Sequence, residues 1–242
     1  MTSCAPSRLR SIGSLAAALL LGACGLTSSS RAPDLPGDWS YSSTLRFESL
    51  VQGLQEQPGT WAWSAASLNA LSTGLDHAGE VALRAAVLLG QSDAANARRA
   101  LLARLERRVP APSRAHDAGD VVAASALGRA CPSDAALAKR LAQLASGPSP
   151  HPDLEVRVEC ARAALGAGVD SVVPFLVRVL RAGTPAEKDD PGDWEPSIHL
   201  TWSKHRAAEA LSLRAGVPCE FRPDGSWQHQ MDEADRLERL LG

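Results

Sequence analysis

Small and apolar residues recur along most of this chain at three- and four-residue steps, in runs separated by glycine, proline and aspartate. That period gathers them on one face of an α-helix. The clearest run is residues 153–181, DLEVRVECARAALGAGVDSVVPFLVRVLR, and it predicts two short helices. Val158, Ala161, Ala164 and Leu165 make the stripe of the first. Gly166 and Gly168 are expected to end it, because glycine adopts the left-handed conformation of a helix C-terminus without a Cβ clash. Asp170 and Ser171 are expected to cap the second helix, with Pro174 in its first turn, where most backbone N–H groups have no intrahelical partner. Val172, Val173, Leu176, Val179 and Leu180 supply its apolar face. Neither helix can bury its stripe alone, so the unit must stack on neighbours.

Those neighbours share one pattern of small residues, alanines and a closing leucine–glycine. It runs through VALRAAVLLG to Gly90, GDVVAASALG to Gly128 and RVECARAALG to Gly166. SKHRAAEALS puts Ser212 in the glycine place. The first two steps are 38 residues each and the third is 46, which predicts helical pairs in series with an insertion before the fourth.

From about Leu75 onward this pattern resembles HEAT repeats in their short bacterial form, also called HEAT-like or PBS-lyase-type repeats. Val156-Arg157 approximates the Val-Arg of that family's first helix, whereas Val81-Ala82 and Ser203-Lys204 depart from it. Those departures weigh against an arginine role inside the stack. The resemblance implies an all-α fold, a right-handed α-solenoid of stacked helical hairpins. Residues 43–242 would form it as about five helical pairs, with insertions near 183–199 and 218–230. Leu45–Leu54 and Trp61–Leu71 are expected to be an irregular helix pair closing the N-terminal end, with Trp61 and Trp63 sealing it.

Residues 1–23 read as a targeting segment. Arg8 and Arg10 precede an apolar run, Ile12 to Leu21, too short for a permanent membrane span. The run closes on Leu21-Gly22-Ala23-Cys24, which resembles a bacterial lipobox and implies cleavage before Cys24 and acylation of its thiol. Localisation in the cell envelope is then expected, facing the periplasm, with the outer membrane slightly favoured because Gly25, not aspartate, comes next. Residues 24–42, rich in serine, proline and glycine, read as a flexible tether between lipid and fold.

Composition and motifs narrow the function. A net charge of −2 carries no nucleic-acid signature. No nucleophile elbow, zinc-protease helix, paired-cysteine, dinucleotide or phosphate-loop pattern is present, so no catalytic residue, cofactor, metal or small-molecule substrate is predicted. His77, His116 and His151 stand near successive helix starts, but stacked helices lie about 8–10 Å apart, too far for one zinc with ligands at about 2 Å. Cys160 takes an alanine place and reads as a small buried hydrophobe, and at most one disulfide can form once Cys24 is acylated. The acidic stretch 183–199 reads as a solvated loop. In 218–230, Pro223-Asp224-Gly225 predicts a turn, with Phe221 and Trp227 as arms of a small hairpin folding over the last repeat. Met231, Ala234, Leu237 and Leu240/Leu241 then line a final helix.

The family implies a binding surface on the second helices. On their helical wheels Leu101/Leu105, Leu137/Leu141 and Leu176/Leu180 mark the buried side. Arg99, Arg107, Lys139, Arg178 and Arg181 fall away from it, while the first helices carry Glu80, Asp120, Glu155 and Glu159. The expected activity is protein binding by a lipid-anchored scaffold, with a partner of acidic character. A structural envelope protein without a specific partner, or a lyase-like enzyme or maturation factor, are the alternatives.

Overall fold

A computed structural model describes residues 30–31, 35, 41–56, 61–77, 79–107, 118–183 and 194–242. The predicted signal segment with Cys24, His116 and most of the acidic stretch lie outside the described residues. What is described is overwhelmingly α-helical: α1 Tyr41–Glu56, α2 Ala65–Gly74, α3 Glu80–Leu89, α4 Ala95–Glu106, α5 Ala118–Gly128, α6 Ala135–Ser146, α7 Leu154–Gly166, α8 Val173–Leu180, α9 Trp194–Ala215 and α10 Trp227–Leu241. Short 3-10 turns at Cys131–Ser133 and Asp170–Val172 lead into α6 and α8.

The helices pack in chain order. α1, α3, α5, α7 and α9 each lie against the next, and a single apolar core runs from Leu35 to Leu237. The stripes read from the sequence are its substance: Val158, Ala161, Ala164, Leu165, Leu101, Leu105, Leu137, Leu141, Leu176 and Leu180 are all buried. The second helices, α4, α6 and α8, pack more extensively on the next first helix than on the preceding one. The hairpins drawn from the sequence are therefore not the tightest pairs. A leucine stripe facing between two successive first helices closes over both, and thus joins one unit to the next.

The recurrent glycine has a different reason from the one expected. Gly90 closes α3 in an ordinary right-handed conformation, and a Cβ there would stand 2.6 Å from the Cβ of Ala126 on α5. At Gly128 an added Cβ would meet the Ala163 Cβ at 3.1 Å, while at Gly166 it would meet nothing. Close approach of successive first helices, not chain reversal, fixes the glycine in the first two copies. Among the described residues a positive φ is taken by Gly168 and Gly216, just past α7 and α9, at 84 and 69, and by Gly79 before α3, at 63. Pro174 sits in the first turn of α8 as expected, and Asp153, for which no cap was expected, caps α7 through the Val156 amide. Asp170 does not cap a helix; its carboxylate binds Arg214 at 2.8 and 2.9 Å.

Four further expectations are corrected. Trp61 is not helical: Trp61–Ala62 pairs in parallel with Ser30–Arg31, and α2 begins only at Ala65, capped by Ser64. That pairing, with Leu35 buried and its amide donating to Ser67 Oγ at 3.2 Å, attaches part of the predicted tether to the fold. The stretch 183–199 is not all loop, since α9 starts at Trp194. Phe221 and Trp227 form no hairpin. A turn does close there, Gly225 N–H to Arg222 C=O at 3.0 Å, but Ser226 then caps α10 through the His229 amide. Phe221 is buried beneath it, and Trp227 is half exposed on the first turn of α10. Along α10, Ala234 and Leu237 are buried as expected, whereas Leu240 faces solvent.

The tryptophan pair does seal the N-terminal end. Trp61 and Trp63 stack with centroids 5.7 Å apart, and Trp63 Nε1 donates to Leu88 C=O at 3.3 Å. Cys131, Cys160 and Cys219 are free thiols. Cys160 is fully buried, and burial pushes its thiol far above the ordinary value, and that of Cys131 up to about 11. Both are small hydrophobes at neutral pH.

Candidate interaction face

Arg99, Lys139 and Arg178 occupy one repeated position. Each stands two residues before a buried leucine, Leu101, Leu141 and Leu180, on α4, α6 and α8. Two residues turn an α-helix by about 200°, so a side chain there leaves on the side opposite the core. All three are exposed, and none meets a carboxylate among the described residues. Arg99 is tied within its own helix, to Asn96 Oδ1 one turn back on α4.

Arg107 and Arg181 differ from these three. Both lie just past the ends of their helices and are engaged: Arg107 with Asp76, and Arg181 with Asp235 and Glu238 of α10, each at 2.6 Å. The two carboxylates raise the affinity of Arg181 for its proton. The five predicted cations are therefore three open positions and two internal ties. The sequence signal for this split was position: the open three lie within their helices, whereas the other two stand just past a helix end, from which Arg107 reaches back to Asp76 and Arg181 on to α10. Glu106, the last residue of α4, is the sole acid on α2, α4, α6 and α8, and Arg140 Nε holds it at 2.5 Å.

Of the four acids named on the first helices, Glu80 is exposed and the other three are buried or half-buried. Glu159 is 1% exposed and accepts from Arg162 at 2.7 Å and from Arg206 of α9 at 2.9 Å. Glu155 is buried with His199 Nδ1 at 2.5 Å, also from α9. Asp120 takes Arg104 Nε at 2.6 Å, and its other oxygen lies 3.7 Å from His151 Nε2. Glu80 pairs with Arg84 one turn along at 3.2 Å. A buried carboxylate is tolerated only with such partners; through Arg206, His199 and Arg104, Glu159, Glu155 and Asp120 tie neighbouring helices together, whereas Glu80 pairs within α3.

Arginine also works inside the stack, against expectation. Arg157 Nε donates to Ala145 C=O at the end of α6 at 2.8 Å, and its guanidinium lies 4.6 Å from the Phe175 ring centre. Arg129 likewise reaches the Gly90 carbonyl, and Arg104 reaches those of Leu75 and His77. Each binds a carbonyl at a helix C-terminus, where acceptors lack intrahelical donors.

One buried cation escaped the sequence reading. Lys204 on α9 is 1% exposed, yet its Nζ meets Gln230 Oε1 at 2.8 Å and the Trp227 ring at 5.0 Å. Burial lowers its pKa from the ordinary lysine value. Its register could have revealed it, since Lys204 falls where the preceding repeat has the buried Val158.

Among the described residues no three His, Cys, Asp or Glu side chains lie close enough to hold a metal ion, and no helix is long and apolar enough to cross a membrane. His77 and His151 do not converge: His77 is exposed after α2, and His151 is buried before α7. Comparison with protein-family models, curated proteins and solved structures gives no match.

Proposed function

We propose that this chain is an α-solenoid of HEAT-like helical hairpins, held on an envelope membrane through an acyl group on Cys24, that binds a protein partner on its second-helix row and has no catalytic role. The observation that carries this reading is the equivalence of Arg99, Lys139 and Arg178. Three successive helices present a cation at the same outward position with no carboxylate to neutralise it among the described residues. Structural arginines of this chain have partners, as Arg104, Arg107, Arg157, Arg181, Arg206 and Arg214 show. A periodic set without them suits an acidic surface on another protein, whose approach it steers and whose orientation it fixes. The serial packing of α3, α5, α7 and α9 supports the solenoid, and the Leu21-Gly22-Ala23-Cys24 tetrapeptide supports the anchor.

The test is capture from envelope extract by the full chain and by the triple variant Arg99→Glu, Lys139→Glu, Arg178→Glu. The variant is expected to keep its helical circular dichroism and lose the partner, and the wild-type association is expected to weaken as salt is raised. Undiminished capture by the folded variant rejects the face. The anchor is tested separately. Cys24→Ala should leave an uncleaved, unacylated precursor by mass spectrometry, and a processed, membrane-held variant rejects Cys24 as the lipid site.

A further inference from the structure

Between α2 and α4, at the N-terminal end of the second-helix row, lies an open cleft of about 540 Å³ lined by Trp63, Leu68, Asn69, Ser72, Asn96 and Arg99. Its volume is that of a ligand site. Its charge is unbalanced. Arg99 is the one ionised side chain in the lining, and neither α2 nor the first turn of α4 contains an acid. Its hydrogen-bonding capacity is unevenly committed as well. Asn96 Oδ1 accepts from Arg99 Nη2, which orients the guanidinium and leaves the two Nδ2 hydrogens of Asn96 free to donate. Asn69 engages a neighbour through its backbone carbonyl, to which Thr73 Oγ1 donates at 3.1 Å, so its side-chain amide is available both to donate and to accept. Ser72 Oγ is turned back to the Leu68 carbonyl at 2.8 Å.

We infer that this cleft takes an extended acidic peptide segment of the partner. The inference rests on the second-helix row being the binding face, and assigns a specific seat within it. A peptide main chain offers alternating N–H and C=O groups, which a free asparagine amide matches on both sides and the Nδ2 of Asn96 matches at a carbonyl. A glutamate or aspartate side chain fits the remaining edge of the Arg99 guanidinium, the charge-assisted pairing that planar donors favour. The apolar floor, Trp63 and Leu68, accommodates the aliphatic part of the same segment. A polyanion is matched less well, because one cation in the cleft answers one carboxylate, not a run of phosphates.

The probe is a fluorescein-labelled, end-blocked octapeptide of alternating Glu and Ala, with its Gln-for-Glu counterpart as control, titrated with the full chain and read by fluorescence anisotropy. Saturable binding of the Glu peptide and at least about tenfold weaker binding of the control are expected. Arg99→Gln should weaken the Glu peptide by about tenfold. Asn69→Ala should also weaken it, and Arg99→Lys, which keeps charge but not the planar fork, should fall between wild type and Arg99→Gln. Lys139→Gln and Arg178→Gln, which share the face but lie outside the cleft, should each weaken it clearly less than Arg99→Gln does. Equal losses in Arg99→Gln, Lys139→Gln and Arg178→Gln would reveal diffuse attraction, overturning the cleft while sparing the face. Absence of saturable binding also overturns the cleft. The capture experiment with the triple variant then decides the face independently.

Discussion

The first-helix row, α3, α5, α7 and α9, and the second-helix row, α4, α6 and α8, both carry charge, but they use it in opposite ways. In the first row the charge is paired and largely buried. Glu159 with Arg162 and Arg206, Glu155 with His199, and Asp120 with Arg104 and His151 bridge one unit to another. In the second row Arg104, Arg140 and Glu106 are paired, but Arg99, Lys139 and Arg178 are left open. Charge in the one row is part of the protein's cohesion, and three cations of the other are left for something outside it. An identical residue type thus gains its role from whether its helix position faces a neighbouring unit.

Substitutions can break that comparison. The largest effect is expected at a core position shared by both rows. Leu165→Ala should cost about 2–5 kcal/mol in chemical unfolding, as for other buried leucines, and a loss under about 1 would remove it from the core. Glu159→Ala leaves two guanidinium groups without their buried acceptor and should cost about 3 kcal/mol, toward the low end of such losses because both arginines are partly exposed. A negligible loss would mean that the first-row pairs are ornamental and would collapse the distinction.

Glycine sharpens it next. Gly90→Ala forces a Cβ onto Ala126 and should cost about 1–3 kcal/mol, whereas Gly166→Ala enters open space at a helix end and should be neutral or stabilising by up to about 1 kcal/mol. Equal effects at the two sites would refute close approach as the reason for the repeat glycine.

A pH titration reaches the first row through His151. Burial holds its pKa below 6.5, against the pull of Asp120 and Asp153 and together with the repulsion of Arg157. The unfolded chain therefore takes up this proton at a higher pH than the folded one. Stability contributed by the neutral ring is complete above about 6.5 and declines as pH falls from there through the folded value. His151→Gln should flatten the difference between unfolding free energies at pH 7 and pH 5. An unchanged slope would exclude His151 as the titrating group.

The smallest effects belong to the second row, where Lys139→Glu and Arg178→Glu should each stay within about 0.5 kcal/mol of wild type. A large loss at either would show that its charge is structural after all.

Much of this was legible from periodicity. The leucine stripes, the 38-residue step and Pro174 in the first turn of α8 are local or repeating features, and a helix records them in its own residues. The open cations were legible for the same reason, since two residues before a buried leucine is a position along one helix. Ion pairs between units were not. Glu159 and Arg206 are 47 residues apart, and nothing in the neighbourhood of either tells which way it faces across a helix boundary. From the sequence Glu155 and Glu159 accordingly give only the acidic tendency of the first helices. The Phe221 region failed differently. Its turn was read correctly, but a turn does not specify the element after it, and Ser226 supplied a helix cap where a strand was expected. The pairing of Ser30–Arg31 with Trp61–Ala62 is too short to have any period at all.

That short pairing sets a working distance. Six chain positions separate Cys24 from Ser30, and an extended chain covers at most about 3.6 Å per residue. A lipid on Cys24 would thus keep the Trp61–Trp63 end within about 22 Å of the bilayer surface, compared with the longer leash of a tether free as far as residue 42. On that geometry the protein would be moored close to the membrane by the end that carries Trp61 and Trp63.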